Sequence, residues 1–327
     1  MSPQTERVST STIRVGMLGA RGFVGREVIG LLASHPSLRL VSAWSDAQAG
    51  QRVADHAPGA PSDLRFSSAS ESDPIESGLD VLILALANGE ARKAMQRINT
   101  AASPPGVIVD LSADHRFDDD WAYGLPETNR AHLIDSKRIS VPGCYATAVQ
   151  LALHPVAGQL VGEPNCFGVS GYSGAGSTPN DRNDPNRLAE NVLPYSSIGH
   201  LHEREVSEHL GHAVRFAPSV APFARGIVCT VLFELDHATS AKVLTRAYER
   251  AYADEPLIDV VGEAMPLVGD ARGTPKAIVG GIQVDLARPK RAAAVCVLDN
   301  LLKGAASQAI QSLNVAMGLP ETAGLLP

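Results

Sequence analysis

Cysteine is scarce in this chain, with four residues among 327: Cys144, Cys166, Cys229 and Cys296. They are widely spaced and form no C-x-x-C pair. That speaks against a zinc site and fits thiols kept reduced in a cytosol. Long apolar runs are missing too, and no stretch approaches the roughly 20 residues of a membrane span. A secretory signal pattern is absent. The residues through 12 are polar, rich in Ser and Thr, and read as a disordered lead-in. Positive charge is not in excess. Lys and Arg number 28 against 35 Asp and Glu, a net charge of −7, which argues against a nucleic-acid or anionic-membrane partner. Internal repeats and long low-complexity tracts are lacking. The rest is an ordinary globular composition, 44% hydrophobic and 19% charged, in a chain long enough for two domains and a sizeable core.

Glycine is present in a telling pattern. Gly16, Gly19, Gly22 and Gly25 recur every three residues. Ile13 to Leu18 reads as a strand and Arg26 to Ala33 as a helix. Strand, glycine turn and helix is the context in which backbone N–H groups cradle a pyrophosphate. The turn itself is Gly19, Ala20, Arg21, Gly22, Phe23, Val24 and Gly25. Its spacing is G-x-x-G-x-x-G rather than G-x-G-x-x-G, and an ordinary tight turn stays open as a reading. Leu38 to Trp44, Leu79 to Leu86 and Val107 to Leu111 read as further strands, with a helix from Glu90 to Ile98. Ser45 to Asp73 reads as a loop. Strands separated by helices predict a doubly wound sheet, with its ligand at the carboxyl ends of the strands. Asn88 and Ser112 fall at those ends and are cofactor-side candidates, although plain turn chemistry fits each as well.

The most informative single residue is Cys144, in Val141-Pro142-Gly143-Cys144-Tyr145. Pro142 and Gly143 break the preceding structure, and Ala146 to Leu153 reads as the start of a helix. The thiol therefore sits at or next to a helix N-terminus, whose unpaired N–H groups and dipole favour the thiolate. Such a site lowers a thiol pKa of about 8.5 by one or more units and makes a nucleophile. A buried cysteine acting as a small apolar residue fits the local sequence equally. Downstream, His200-Leu201-His202 opens a helix that runs to about Leu210. An imidazole near the thiol would serve as general acid or base. Histidines at i, i+2 do not share a helix face, so one is expected to reach the thiol and the other the substrate. No H-E-x-x-H frame and no third metal ligand accompany them; surface histidines at a helix start remain the alternative. The other histidines, His115 among them, read as surface or packing residues.

Beyond Cys144 the texture changes. Strands are expected at 167–173, 213–217, 226–235, 278–285 and 292–298, helices at 240–253 and 300–317. A glycine turn at 171–177 leads into a polar loop at 178–187. The chain divides near residue 143 into a dinucleotide-binding part and a mixed α/β part. A dinucleotide loop, a helix-starting cysteine and a downstream histidine suggest thiolate attack on a carbonyl carbon and hydride exchange with a nicotinamide. Phosphorylating aldehyde dehydrogenases and acyl-phosphate reductases make up this reaction class.

Several segments carry a closer resemblance. They are Gly19 to Gly25, Asp110-Leu111-Ser112-Ala113-Asp114, Tyr123-Gly124-Leu125-Pro126-Glu127 and Pro142-Gly143-Cys144-Tyr145. Ser173-Gly174-Ala175-Gly176, His200-Leu201-His202, Arg225-Gly226-Ile227 and Asp299-Asn300-Leu301-Leu302-Lys303-Gly304-Ala305-Ala306 complete the set. From about Ile13 to Leu319 the chain resembles the N-acetyl-gamma-glutamyl-phosphate reductase family of the aspartate-semialdehyde dehydrogenase superfamily. The resemblance implies an α/β fold: a Rossmann-type dinucleotide-binding domain over 1–143 and an α+β catalytic and dimerisation domain over 144–299. The latter is of the glyceraldehyde-3-phosphate dehydrogenase C-terminal type. A C-terminal helix over 300–327 returns to the first domain. It implies NADPH-dependent reduction of N-acetyl-glutamyl 5-phosphate to N-acetyl-glutamate 5-semialdehyde, with release of phosphate, through a Cys144 thioester, in arginine biosynthesis. It implies His200 as general acid/base and His202 as a substrate contact. Ser45, Gly174, Ala175, Gly176 and Asn300 join the cofactor side, and Tyr195, Arg182, Arg187 and Arg225 the substrate side. A cytoplasmic homodimer or homotetramer without metal is expected.

Some positions depart from the family's pattern. Arg21 stands where Ser is usual, Ala146 where Pro is common, and Ser177 where Arg usually follows the glycine turn. A substrate-anion arginine is therefore sought at Arg182 or Arg187. The second strand usually ends in Ser-Arg, which suits a 2′-phosphate, but here ends in Ser45-Asp46. An acidic residue there favours a free ribose hydroxyl, as in NAD. Arg21 or Arg52 would supply the missing cation, and NADP is retained as the expectation. Rival readings are a cysteine hydrolase, a non-catalytic dinucleotide sensor, and related reductases acting on aspartate-semialdehyde or on a carrier-protein-linked substrate. The last would need a basic docking face, and this chain is acidic.

Overall fold

The computed structural model describes residues 12–68, 75 and 78–326. The lead-in through residue 11 and part of the expected loop at 69–73 lie outside them. Among the described residues, the first half builds one parallel sheet of seven strands. These are β1 (Ile13–Leu18), β2 (Leu38–Trp44), β3 (Phe66–Ser67), β4 (Val81–Leu84), β5 (Val107–Asp110), β6 (Ala122–Tyr123) and β7 (Arg138–Ser140). Their order is β3-β2-β1-β4-β5-β7-β6, and every pairing is parallel. The four residues Val-Leu-Ile-Leu of β4 are all buried, as a strand covered on both faces must be. Crossovers run through α1 (Phe23–Ser34) and α2 (Glu90–Ile98), and α3 (Pro126–Leu133) joins β6 to β7.

The second half begins with α4 (Cys144–Leu153) and a mixed seven-stranded sheet. Its strands are β8 (Leu160–Gly171), β9 (Leu193–Pro194), β10 (Arg215–Ala221), β11 (Ile227–Leu235), β12 (Ile258–Val260), β13 (Ala277–Val284) and β14 (Arg291–Leu298). They are ordered β12-β13-β14-β11-β8-β10-β9. Between them run α5 (Pro185–Leu188), α6 (Leu201–Leu210), α7 (Ala241–Ala251) and α8 (Val268–Ala271). Helix α4 is buried along its length and packs on β11 and β14. On the outer face of β8, Val161 and Phe167 are left half-exposed.

The sequence predicts a single C-terminal helix over 300–317. Instead a π-helical turn at Leu302–Ala306 precedes α9 (Ser307–Ala316). Tertiary contacts override the local preference here. A Cβ on Gly304 would lie 2.7 Å from the Cys144 Cβ, so the turn is pressed against the start of α4. Leu302, Ala306, Ile310 and Leu313 share one apolar core with Val15, Met17 and Val28, so the end of the chain returns to the first sheet. A fully buried Lys303 anchors it, donating to Glu127 Oε1 and Gln311 Oε1, each at 2.6 Å. Breaking a buried pair by removing one partner costs about 3–5 kcal/mol, because the other charge is left uncompensated. Lys303→Met should therefore move the urea unfolding midpoint sharply down. A midpoint equal to that of the parent would mean that Lys303 does not hold the segment.

Candidate active site

The carboxyl ends of β1, β2, β4 and β5 open onto a cleft of about 780 Å³. Leu18, Ser45, Ala85 and Leu111 mark those ends in its wall. At one end lies the glycine turn. Gly19 has a φ of +77°, and a Cβ there would meet the Ala85 carbonyl oxygen at 2.2 Å. A Cβ on Gly25 would meet the Ala20 carbonyl oxygen at 2.6 Å. Both positions require glycine. Gly22 starts α1 with no side-chain cap, and the first turn holds no acidic residue. A bare helix N-terminus behind a glycine turn fits the pyrophosphate of a dinucleotide.

The same cleft is lined by Cys144, Arg116 and His202. Cys144 is the first residue of α4, following the N-cap Gly143. A Cβ on Gly143 would lie 2.1 Å from His202 Nε2 and 2.8 Å from Arg116 Nη1. Only glycine admits both groups so close to the thiol. Arg116 is buried, donating through Nε to the Val141 carbonyl oxygen at 2.9 Å and through Nη1 to Glu205 Oε2 at 2.9 Å. Glu205, wholly buried on α6, also accepts from Tyr123 Oη at 2.9 Å and from the Gly143 N–H at 2.8 Å.

The electrostatics correct one expectation. The helix N-terminus is expected to lower the Cys144 pKa, but burial of the sulfur pushes it up to about 11. The N–H groups of Tyr145 and Cys144 and the Arg116 cation pull it down, and Glu205 pushes it up. Desolvation outweighs the dipole, so the resting thiol is protonated near neutrality. Burial also lowers His202, to about 3, with Arg116 adding to the effect and Glu205 opposing it. The resting His202 is therefore neutral. Its Nδ1 is buried without a hydrogen-bond partner among the described residues. His200 caps α6, its Nδ1 accepting from the His202 N–H at 3.1 Å. Burial and then Arg182 lower its pKa, against Glu203 and Glu205.

The sequence candidates fall into two groups. Gly19, Arg21, Gly22, Phe23, Val24, Gly25, Ser45, Asn88, Gly174, Gly176 and Asn300 line the cleft with Cys144 and His202. Asn300 is pinned in its wall, accepting from the Gly226 N–H at 2.6 Å and donating to Ser173 Oγ at 2.9 Å. His200, Tyr195 and Arg182 form an adjoining flank. The His200 ring lies 4.8 Å from that of His202 and 5.5 Å from Tyr195, and Arg182 sits 5.0 Å over the Tyr195 ring. Ala20, Ala175 and Ser112 do not line the cleft. Ala20 is buried beneath the turn, and the Ala175 carbonyl accepts from Asn180 at 3.2 Å. Ser112 is buried, its Oγ donating to Asp110 Oδ2 at 2.9 Å. Asp110 likewise takes His115 Nδ1 at 2.8 Å, with the His115 ring stacked on Trp121, so the turn after β5 is internally tied.

Two arginines expected on the substrate side have carboxylate partners in the structure. Arg225 is spent on Glu27 and Asp299, at 2.8 and 2.9 Å, and ties α1 to the C-terminal segment rather than facing a substrate. Arg187 pairs with Asp181 at 2.7 Å in the polar loop. The cation that lines the cleft beside Gly143 is Arg116, which sequence reasoning missed, as it did Glu205. Both had a local signal: Arg116 follows the Asp110–Asp114 segment, and Glu205 lies three residues after His202, on the same helix face. Of the proposed 2′-phosphate partners, Arg21 lines the cleft, whereas Arg52 pairs with Asp55 at 3.1 Å.

Glycine turn, parallel sheet and helix-starting thiol define a class, the semialdehyde dehydrogenases. Residues 14–136 match the family described as semialdehyde dehydrogenase, NAD binding domain, and residues 144–300 its dimerisation domain. The chain belongs to the N-acetyl-gamma-glutamyl-phosphate reductase family. A relative of that name from Stenotrophomonas maltophilia is 49% identical over 96% of this chain and 98% of its own. Another from Xanthomonas oryzae pv. oryzae is 48% identical over the same shares. The fold is that of a crystal structure of aspartate semialdehyde dehydrogenase II from Vibrio cholerae, complexed with ASA. That structure has a TM-score of 0.77 and 19% identity, covering 93% of this chain and 98% of that one.

Burial pushes Cys166 and Cys296 up to about 12 and raises Cys229 as well, and all three are closed off from solvent. Iodoacetamide should therefore alkylate Cys144 first, read by peptide mapping at partial labelling. Earlier labelling of any other cysteine would contradict this geometry. His202 carries a second expectation. Its folded pKa lies below its unfolded value of about 6.5, so protons bind the unfolded chain preferentially as pH falls. Stability is complete above about pH 6.5 and is lost as pH drops toward the folded value. His202→Asn should flatten the fall of the thermal midpoint between pH 6.5 and 4, and an unchanged slope would count against a neutral buried imidazole.

Proposed function

We propose that this chain reduces N-acetyl-glutamyl 5-phosphate to N-acetyl-glutamate 5-semialdehyde and phosphate, with NADPH as reductant, in arginine biosynthesis. The observation that carries the reading is a thiol at the start of α4 sharing one cleft with an uncapped glycine turn. Glycine turn and α1 would hold the pyrophosphate, with Ser45, Asn88 and Asn300 along the dinucleotide. When bound, the nicotinamide supplies the hydride that reduces the acyl group. Cys144 Sγ attacks the acyl carbon, the bond from that carbon to the phosphate oxygen breaks, and a thioester remains on the chain. His200 takes the thiol proton, and the regenerated thiolate recovers it once the aldehyde has left. Arg116 faces the departing anion, and Arg182 and Tyr195 line the flank through which the acyl chain would extend. The division of labour is the one the family resemblance implies; burial, which holds His202 at about 3, suits it to a substrate contact more than to proton transfer near neutral pH. His202 instead offers a neutral hydrogen bond to a substrate oxygen.

A second assignment exchanges the histidines, because His202 and not His200 lines the cleft with Cys144. Kinetics separates them. His200→Asn should lower kcat by roughly 10²–10⁴-fold, the usual worth of a positioned acid/base, while His202→Asn should raise the substrate KM. The reverse pattern would exchange the roles.

We further read the chain as three parts: a dinucleotide-binding domain over 1–143, a catalytic and oligomerisation domain over 144–299, and the returning segment over 300–327. It works as a cytoplasmic homodimer or homotetramer. The half-exposed Val161 and Phe167 on the outer face of β8, inside the region matched as a dimerisation domain, support the association. The proposed preference for NADP rests on Arg21, which lines the same cleft as Asp46, since an arginine–phosphate contact is charge-assisted. The direct assay is phosphate-dependent oxidation of N-acetyl-glutamate semialdehyde, run with NADP and with NAD. NADP should be preferred, and Arg21→Ala should raise KM for NADP while leaving KM for NAD nearly unchanged. A parent enzyme that works better with NAD would assign Asp46 to the ribose hydroxyls. No phosphate-dependent turnover with either coenzyme would refute the function.

A further inference from the structure

One buried carboxylate joins several of the groups around the start of α4. Glu205 Oε1 accepts from the Gly143 N–H at 2.8 Å, next to Cys144 in the chain, and from Tyr123 Oη at 2.9 Å. Tyr123 Oη in turn accepts from Gln150 Nε2 at 2.7 Å, on the second turn of α4. Glu205 Oε2 accepts from Arg116 Nη1 at 2.9 Å, and His202 Nε2 lies 4.0 Å from the same oxygen. The loop after β5, strand β6, the start of α4 and the start of α6 therefore meet on one side chain with no solvent exposure. A charge held this deep is retained at a cost, and removing its partners would be expensive. We propose that Glu205 is the positioning residue of this active site: it holds Arg116 and the Pro142–Gly143 peptide that precedes Cys144 in one frame, faces His202, and offsets the Arg116 charge beside the thiol.

The proposal rests on Cys144 being the nucleophile. Its physical logic is a balance. Arg116 alone beside Cys144 would stabilise the thiolate and bind any anion tightly, the departing phosphate included. Paired with Glu205, it presents a cation that is fixed in direction and partly compensated. The groups facing Glu205 are Arg116, Tyr123 and His202, with His200 and His209 farther out. Those facing Cys144 are Arg116 and Glu205, with Tyr145, Tyr195 and Cys229 around it. Of these, only Arg116 and Glu205 carry charge at neutral pH.

Two variants separate charge from reach. Glu205→Gln keeps the shape and an acceptor for the Gly143 N–H but removes the charge. Its Cys144 alkylation midpoint, from iodoacetamide rates across pH, should move down by about 1 unit, the scale of losing one nearby like charge. Turnover should fall roughly 10²-fold, the scale of a misplaced reacting group, with the coenzyme KM unchanged. Glu205→Asp keeps the charge but is one methylene short. Its alkylation midpoint should stay at the parental pH while turnover still falls. Urea midpoints report how much of each variant is folded. A purely structural role predicts activity lost only in proportion to the unfolded fraction, with an unmoved alkylation midpoint, and that result would overturn the proposal. Parental turnover in either folded variant would do so too. Should Glu205→Gln not fold, Glu205→Asp decides alone: parental turnover refutes, and lost turnover in folded protein supports. Alkylation needs no substrate, so an inactive parent would refute the proposed function while the alkylation midpoints still decide the role of Glu205.

Discussion

The active site depends on a steric constraint: the start of α4 is squeezed between two other segments, and neither Gly143 nor Gly304 has room for a side chain. His202 and Arg116 occupy the space beside Gly143, and Gly304 presses against Cys144 itself. Close approach of backbone to a reacting residue is a common reason for glycine in an active site. Here it works from both sides. The glycine at 143 lets a cation and an imidazole reach the thiol, and the one at 304 lets the C-terminal segment close over it. The π-helical turn at Leu302–Ala306, the buried Lys303–Glu127 pair and the Arg225–Asp299 pair all serve that closure.

The same enclosure sets the chemistry. Burial raises the thiol and lowers both histidines, so the resting site holds a neutral acid and neutral bases around one compensated cation. Such a site is quiet until substrate arrives. In the proposed reaction an acyl phosphate would bring its own negative charge beside Arg116 and an electrophilic carbon beside Cys144. Proton transfer from the thiol then becomes worthwhile because the product is consumed by bond formation.

Much of the fold is legible in the sequence because the parallel sheet speaks clearly. The helix at Glu90–Ile98 and the strand at Leu38–Trp44 have the predicted bounds, the helix strongly amphipathic and the strand mostly apolar. Strands as short as Ala122–Tyr123 leave too few residues for any period to register. The turn at Leu302–Ala306 is hidden for another reason: the local sequence reads as one continuous helix, whereas in the fold Gly304 sits tightly against Cys144, Leu298 and the Asp299 carbonyl. The site is legible where glycine and cysteine impose geometry, at Gly19, Gly25 and Cys144. It is less so for arginines. Arg225 looks like an anion ligand in sequence, yet two carboxylates already hold it, one of them 198 residues away. Arg116 and Glu205 become visible as a pair only once the fold brings them together across 89 residues.

Covalent capture of the acyl group by Cys144 is the central step of the proposed reaction. The most direct measurement is intact-protein and peptide mass spectrometry of the enzyme incubated with N-acetyl-glutamate semialdehyde and oxidised coenzyme without phosphate. Hydride then leaves the substrate, and no phosphate is present to release the acyl group. The expected result is one added N-acetyl-glutamyl group per chain, on the peptide containing Cys144 and discharged by phosphate. An unmodified Cys144 peptide under conditions where reduced coenzyme forms, or an acyl group on any other residue, would contradict it.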